Sequence, residues 1–208
     1  MPLLRKRTIS RPSQTEMKQD WKPGTMIYPL PAVLVSCGTT EEEYNLLTVA
    51  WTGTLCTNPP MCYISVRPER HSYHILKKHM EFVINLTTEE MARATDWCGV
   101  RSGRDFNKFR EMHLTPGKAS VVQAPLVEES PLCIECRVKE ILPLGSHDLF
   151  IAEVVNVRAD EKYMDPSTGK FQLSESHPLV YLHGGYYGLG EKIGKFGWSV
   201  EKKTKKQR

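Results

Sequence analysis

The sequence predicts a mainly β fold, an antiparallel barrel or sandwich whose open end is covered by a few short helices. Three observations predict it. Short runs rich in Val, Ile, Thr and aromatic residues recur along the chain, turn residues separate these runs, and only three segments show helical spacing. The 208 residues, 40% hydrophobic and 25% charged, suit one well-buried domain.

Seven runs are interpreted as strands. Residues 28–37 and 46–56 form a hairpin across a polar turn at 38–45, and Pro68 ends the strand that follows the Pro59-Pro60 turn, because proline gives no ladder hydrogen bond. Gly145 to His147 resembles a hairpin turn between two long strands. The predicted strands are 28–37, 46–56, 61–66, 81–86, 132–142, 148–157 and 178–183.

Helices are expected where apolar residues recur every three or four positions. A short helix is predicted to begin near Ser72 and to end at Met80, and two further helical regions cover residues 88–97 and 105–112.

The ends of the chain differ from its middle. Residues 1–22 show no hydrophobic period and predict a flexible segment, residues 23–190 form the predicted domain, and residues 191–208 form a basic tail. The net charge of +4 lies largely in these ends, which favours solvated tails over nucleic-acid or membrane binding. No apolar run approaches a membrane span, and six cysteines in apolar stretches suggest free thiols, so a cytoplasmic protein is expected.

Residues 47–73 carry a Thr-rich strand, a Pro-Pro turn and a strand ending in Ser65-Val66-Arg67. Together with residues 81–86, 94–103 and 178–181, this segment resembles the flavin reductase-like family that includes flavoredoxin. The resemblance covers about residues 25–190. It implies an antiparallel Greek-key split β-barrel with a few peripheral short helices, an FMN cofactor held near the interface of a homodimer, and oxidoreductase activity.

A phosphate and a flat ring must both be held if FMN is bound. Ser65 and Arg67 are two apart on a strand and project to the same side, so a hydroxyl and a guanidinium can grip one phosphate. Ser72, at the expected helix start, extends that grip, and Tyr73 could cover it. Each of these residues has a simpler interpretation, Arg67 as a surface charge and Ser72 as an ordinary helix cap.

The isoalloxazine ring is assigned to the strand before the Pro-Pro turn. Thr48, Ala50, Thr52 and Thr54 alternate along it and place small and hydroxylated side chains on one face, although threonines also simply favour strands. Gly53 within a strand suggests close approach of Trp51-Thr52-Gly53 to the ring edge. Further polar contacts are expected from three residues that lead into the turn: Cys56, Thr57 and Asn58.

Other motifs are given structural interpretations. Cys133 and Cys136, three apart on a predicted strand, face opposite sides, which disfavours a disulfide or a shared metal. Cys98 is expected to be buried, with a thiolate role as the alternative. His71 and His74 suit a solvated helix end better than a metal site. No GxGxxG stands between a strand and a helix, so any nicotinamide would stack directly on the flavin.

The functional hypothesis is an FMN-dependent oxidoreductase that uses the flavin, and no catalytic side chain, for its chemistry. NADH or NADPH is a possible donor, and a redox protein or monooxygenase is a possible partner. Three alternatives stay open: a reductase that takes FMN or FAD as diffusible substrate, an electron-transfer flavoprotein not reduced by NAD(P)H, and a non-catalytic flavin- or haem-binding module. Many reductases of the family that the sequence resembles have a smaller residue at the position of Trp51. This Trp could therefore narrow the access of a substrate to the flavin.

Overall fold

A computed structural model describes residues 18–201. Twelve strands and three helices are found in this part of the chain, and every strand pair is antiparallel. The strands are β1 Leu30–Pro31, β2 Val33–Cys37, β3 Asn45–Val49, β4 Thr52–Thr57, β5 Pro60–Val66, β6 Glu81–Leu86, β7 Pro116–Gly117, β8 Leu126–Val127, β9 Leu132–Pro143, β10 Asp148–Ala159, β11 Val180–Leu182 and β12 Gly185–Tyr187; the helices are α1 His71–His79, α2 Ala92–Val100 and α3 Lys108–Glu111.

Seven strands form one strongly curved sheet in the order β3-β2-β6-β9-β10-β5-β4. Its two edge strands, β3 and β4, are consecutive in the chain and are separated only by Ala50 and Trp51. The sheet must therefore curl until its edges approach, and the β4–β5 pairing extends back to the link, where the backbone N–H of Ser65 donates to the carbonyl of Trp51 at 2.9 Å. The result is a split β-barrel, which confirms the predicted fold class.

Two apolar clusters fix the barrel and its helices. Inside the barrel, Val35, Ile64, Phe82 and Phe150 are fully buried, together with the rest of this cluster. On the outer side of β2 and β3, a second cluster that includes Leu34, Leu46, Cys98 and Phe109 joins α2 and α3 to the sheet. Strand β2 is consequently buried on both faces, which holds the helices against the end of the barrel where β3 and β4 separate.

Two predicted strands are each broken into two shorter ones. Residues 46–56 do not form a continuous strand, because the chain passes from one edge of the sheet to the other at Ala50-Trp51. The first strand is likewise interrupted at Ala32, since Leu30 and Pro31 pair with β11 in a separate three-stranded sheet with β12. The hairpin turn at residues 145–147 is confirmed by the pairing of β9 with β10.

The helices and the last strand shift by a few residues from their predicted bounds. Helix α1 begins at His71 with Arg70 as its N-cap, so Ser72 lies inside the first turn rather than at the cap. Helix α2 begins four residues later than predicted, α3 is a single turn, and the strand predicted at 178–183 shortens to Val180–Leu182.

The terminal predictions fall partly outside the described residues, namely at positions 1–17 and 202–208. Residues 18–27 and 188–201 are described and are exposed, and the only regular structure in them is a 3₁₀ turn at Trp198–Val200. Within residues 18–201, no helix is long and apolar enough to cross a membrane.

Candidate functional site

The split of the barrel opens into a cleft with a volume of about 350 Å³, within the size range of ligand pockets. Its floor is the β3–β4 link, and the ends of β5 and α2 form its sides. The turn before β10 and two tyrosines of the small sheet complete it. The residues around it are Ala32, Leu47, Thr48, Val49, Ala50, Trp51, Ser65, Val66, Arg67, Arg70, Asp96, Gly99, Val100, His147, Tyr181 and Tyr186.

A second cavity of about 290 Å³ continues from the cleft and shares Leu47, Arg70 and Val100 with it. It lies against the first turn of α1 and against the loop before α3. Its other lining residues are Asn45, Glu69, His71, Ser72, Arg101, Ser102, Gly103 and Lys108. The two cavities together make an elongated space, one end bordered by aromatic side chains and the other by cations.

Lys108 is the most unusual group at the cationic end. It is 3% exposed, and its Nζ donates to the carbonyls of Leu46 at 2.8 Å and Cys98 at 2.6 Å. An ammonium has three donors, so one stays available to the cavity that Lys108 lines. Burial, reinforced by the like charge of Arg70, lowers the pKa of Lys108 to about 8.

The electrostatics of both cavities favour an anion. Burial and then the cations Arg104 and Lys108 lower the pKa of His71, and burial and then Arg67 lower the pKa of His147. His71 and Ser72, the first two residues of α1, line the second cavity, and the first backbone N–H groups of a helix have no partner within the helix itself. Ser72 is buried there, and its Oγ accepts a 2.7 Å hydrogen bond from Asn45 Nδ2, so its hydroxyl proton is the only donor that the side chain can offer a ligand.

The aromatic end is bordered by Trp51 and His147. Their ring centroids are 4.6 Å apart and their planes are tilted by 35°. Across the cleft, Tyr186 donates to Asp96 Oδ1 at 3.3 Å, and burial together with this carboxylate raises the pKa of Tyr186 to about 12. Tyr186 is therefore a neutral donor at ordinary pH, and a planar ligand placed here would meet flat side chains.

Five sequence-predicted residues lie together in the cleft: Thr48, Ala50, Trp51, Ser65 and Arg67. Ser72 lies in the second cavity. The expectation that Ser65, Arg67 and Ser72 converge on one phosphate does not match this geometry, because Arg67 turns outward and pairs with Glu69 at 3.3 Å. Arg70, which lines both cavities and donates to the carbonyl of Gly99 at 3.0 Å, stands between them.

Tyr73 belongs to the core. Its ring is buried in the barrel cluster, and its hydroxyl donates to Asp148 Oδ2 at 2.5 Å. Residue 73 lies one position past Ser72 on α1, so its side chain turns to a different side of the helix. This placement does not support the expectation that Tyr73 covers a phosphate.

Strand β4 turns away from the cleft, and six predicted residues leave with it: Thr52, Gly53, Thr54, Cys56, Thr57 and Asn58. Thr52 Oγ1 donates to the carbonyl of Tyr63 at 2.6 Å. The close approach at Gly53 is to a side chain, since an added Cβ would stand 3.1 Å from the Tyr63 ring. These residues build the hairpin of β4 and β5, and none of them lines either cavity.

The cysteines have packing roles in the described structure. Cys133 and Cys136 lie in different apolar clusters on opposite faces of β9, as the strand pattern predicts. Cys98 is fully buried, and burial raises the pKa of its thiol to about 11, so a thiolate role is not supported. All six cysteines are free. Across residues 18–201, no group of three or more His, Cys, Asp and Glu side chains is placed to hold a metal.

Comparison with known proteins identifies related sequences and folds. The profile of the Flavin reductase like domain matches residues 25–190. Flavoredoxin of Desulfovibrio vulgaris (Miyazaki F) superposes with a TM-score of 0.81 at 28% identity, over 89% of this chain and all of that one. An FMN-binding protein from Thermus thermophilus shares the fold, with a TM-score of 0.70 at 24% identity over 88% of this chain and 99% of that one.

A similar sequence is the reductase component of a monooxygenase. The chain is 26% identical to the reductase component of a 4-nitrophenol 4-monooxygenase/4-nitrocatechol 2-monooxygenase from Rhodococcus opacus. That similarity extends over 54% of this chain and 57% of the relative.

Proposed function

Because the chain belongs to the flavin reductase-like family, we propose that it is an FMN-binding oxidoreductase that passes electrons through the bound flavin. The observation that carries the proposal is the joined pair of cavities, cationic at one end and aromatic at the other. The phosphate is assigned to the second cavity, where Lys108, Ser72 and the first turn of α1 offer donors. The ring is assigned to the cleft beside Trp51.

Lys108 is the group that an anion fits best. A buried cation with an unused donor is costly unless an anion approaches, and a phosphate would complete its hydrogen bonding. Arg70 lines the same cavity as Lys108 and is held by its hydrogen bond to the carbonyl of Gly99, so it offers a second cation to the anion. Ser72, fixed by Asn45, donates its hydroxyl.

The cleft supplies order and a partly dry surface for the ring. The backbone of Thr48 to Trp51 runs along its floor, and Thr48 Oγ1 is already engaged with the carbonyl of Thr95 at 2.5 Å. Contacts from this segment to the polar edge of a ring would therefore come from the backbone. FMN supplies the acceptance of hydride and the release of electrons when it is bound. The protein binds, orients and partly shields it.

NADH or NADPH is the proposed donor, and two copies are proposed to form the working unit. A second candidate is supported by the similarity to the Rhodococcus reductase component, namely a reductase that releases reduced flavin to a monooxygenase. The two candidates differ in how tightly the oxidised flavin is held.

One preparation tests both. The full chain is purified without added flavin, its visible spectrum is recorded before and after exhaustive dialysis, and NADH or NADPH is then added anaerobically. Retained flavin that bleaches with a nicotinamide supports the main proposal, and flavin lost on dialysis but turned over as substrate supports the second. Retained flavin that neither nicotinamide bleaches indicates electron transfer from a protein instead. A colourless protein that does not bind added FMN contradicts the proposal.

A further inference from the structure

The small sheet consists of β1, β11 and β12, and it shares no strand pairing with the barrel. Ala32 alone separates β1 from β2, which connects one edge of the small sheet to the barrel. Just before β11, the N–H of Leu179 donates to the carbonyl of Thr87 at 3.0 Å, and the N–H of Glu89 donates to the carbonyl of His177 at 2.9 Å. Strand β12 forms the opposite edge and pairs only with β11.

The free edge of the small sheet meets α2 through Tyr186 on β12. The Tyr186 hydroxyl donates to Asp96 Oδ1 at 3.3 Å, and across residues 18–201 this is the one side-chain hydrogen bond between the small sheet and another element. Just past β12, a Cβ added at Gly188 would overlap Glu89 Oε1, so the chain leaves the sheet in close contact with that carboxylate. One hydrogen bond and one packing contact therefore hold this edge.

Both partners of the hydrogen bond border the cleft, together with Tyr181. Tyr181 and Tyr186 lie directly opposite each other on β11 and β12, and their ring centroids are 5.7 Å apart. Cross-strand aromatic pairs of this kind stabilise a sheet. The Tyr186 ring is consequently held by Tyr181 within the small sheet and by Asp96 on α2.

Tyr187, the next residue of β12, differs from Tyr186 in every one of these respects. Successive strand residues point to opposite faces, so the two rings face different ways. Tyr187 is 53% exposed and lines neither cavity, whereas Tyr186 is partly buried. The two adjacent tyrosines thus provide a test residue and a matched control on one strand.

We propose that Tyr186 and Asp96 form a latch that holds the small sheet against α2, and that the opening of this latch governs how fast a flavin leaves the cleft. An edge strand with few contacts opens locally at a lower free energy than the core. A latch that stays closed favours a flavin retained through many turnovers, and one that opens readily favours a flavin that leaves as product. The hold on the small sheet stands on the hydrogen bond and the strand order, whereas the control of release rests on the proposed function.

Stopped-flow measurement of FMN release from the full chain tests the latch. Asp96→Ala and Tyr186→Phe should each raise the dissociation rate about two- to tenfold, the range for one hydrogen bond of ordinary net strength. The double variant should be no faster than the faster single variant, because either change opens the same latch. Asp96→Asn keeps an acceptor oxygen and should restore most of the slow release, and Tyr187→Phe should leave the rate unchanged.

The FMN dissociation constant distinguishes a latch from a lost contact with the ligand. A latch gates entry and exit alike, so the dissociation constant should change less than the dissociation rate. Changes of equal size in both quantities, additive effects of the two substitutions, or an effect of Tyr187→Phe as large as that of Tyr186→Phe would each overturn the proposal.

Hydrogen exchange of the flavin-free chain separates the latch from the flavin. Backbone amides of β11 and β12 should exchange faster in Asp96→Ala and Tyr186→Phe than in wild type or Tyr187→Phe, while those of β9 and β10 exchange alike in all four proteins. Unchanged exchange in the small sheet would overturn the latch even if FMN binds. Faster exchange in a chain that binds no FMN would uphold the hold on the small sheet and contradict only the proposed function.

Discussion

The affinity for FMN should depend on pH through Lys108. The flavin-free chain holds the pKa of Lys108 at about 8, because burial disfavours the charged form. A phosphate pairs only with the charged form. Between pH 7 and pH 9 the charged fraction of a group with this pKa falls from about nine-tenths to about one-tenth, so the FMN dissociation constant should rise roughly tenfold, about 1.4 kcal/mol.

Lys108→Met should remove this dependence together with the phosphate contact. A hydrogen bond to a charged group contributes about 1.5–3 kcal/mol, so FMN should bind roughly 10- to 150-fold more weakly at pH 7. The variant also leaves the carbonyls of Leu46 and Cys98 without their donor. Its free energy of unfolding should therefore be measured in urea alongside binding.

Riboflavin separates the phosphate contact from a general disturbance of the site, because it carries the same ring without the phosphate. Fluorescence titration should give riboflavin affinities that change little between wild type and Lys108→Met and show no slope from pH 7 to pH 9. Lys118→Met, on an exposed lysine, is the control for a lost positive charge. An equal loss for FMN and riboflavin, or a pH slope that persists in Lys108→Met, would refute the reasoning.

Three further predictions concern the frame around the site. Tyr73→Phe should lower the free energy of unfolding by about 1–3 kcal/mol, because Asp148 loses its buried hydrogen-bond partner. The FMN affinity should stay within twofold of wild type. A large loss of affinity in a fluorescence titration would show that Tyr73 contributes to FMN binding. Burial raises the pKa of Glu135, but hydrogen bonds from Asn156 and from the backbone of residues 120–122 outweigh it and lower the pKa overall. Its contribution to stability should therefore be present above about pH 4.5 and be lost as pH falls through the lower folded value, so urea melts of Glu135→Gln should converge with wild type in acid, and curves that stay parallel would exclude this assignment. Gly103→Ala should overlap the Asn45 side chain that holds Ser72, and FMN binding weakened more than riboflavin binding would support the phosphate assignment, whereas equal binding of both to the variant and wild type would count against it.

The sequence predicts the barrel better than the path of the chain around it. Alternating apolar residues and turn residues are local signals, and they locate the hairpin of β9 and β10 and the strand before Pro68. The break at Ala50-Trp51 has no local signal, because it arises where the curved sheet brings its two edges together. The alternation of Thr48, Ala50, Thr52 and Thr54 therefore misleads, since the last two belong to another strand.

The lining of the two cavities is predicted where it comes from one segment and missed where distant segments meet. Ser65, Arg67 and Trp51 lie close together in sequence, and the family resemblance singles them out. Lys108 and His147 reach the cavities from 36 and 75 residues after Ser72, and lysines are seldom buried, so neither stands out in the sequence alone. Only the fold shows that Lys108 is enclosed and aimed at the same space as Ser72.

The two-residue link at Ala50-Trp51 shapes the proposed site but lies outside the buried clusters that stabilise the fold. The buried clusters lie inside the barrel and beneath the helices, whereas the link forms the floor of the opening between the sheet edges. Substitutions there change the width of the opening and leave the packing of the buried clusters unchanged. This short stretch is consequently where ligand preference can drift, under selection or in the laboratory, at little risk to the fold.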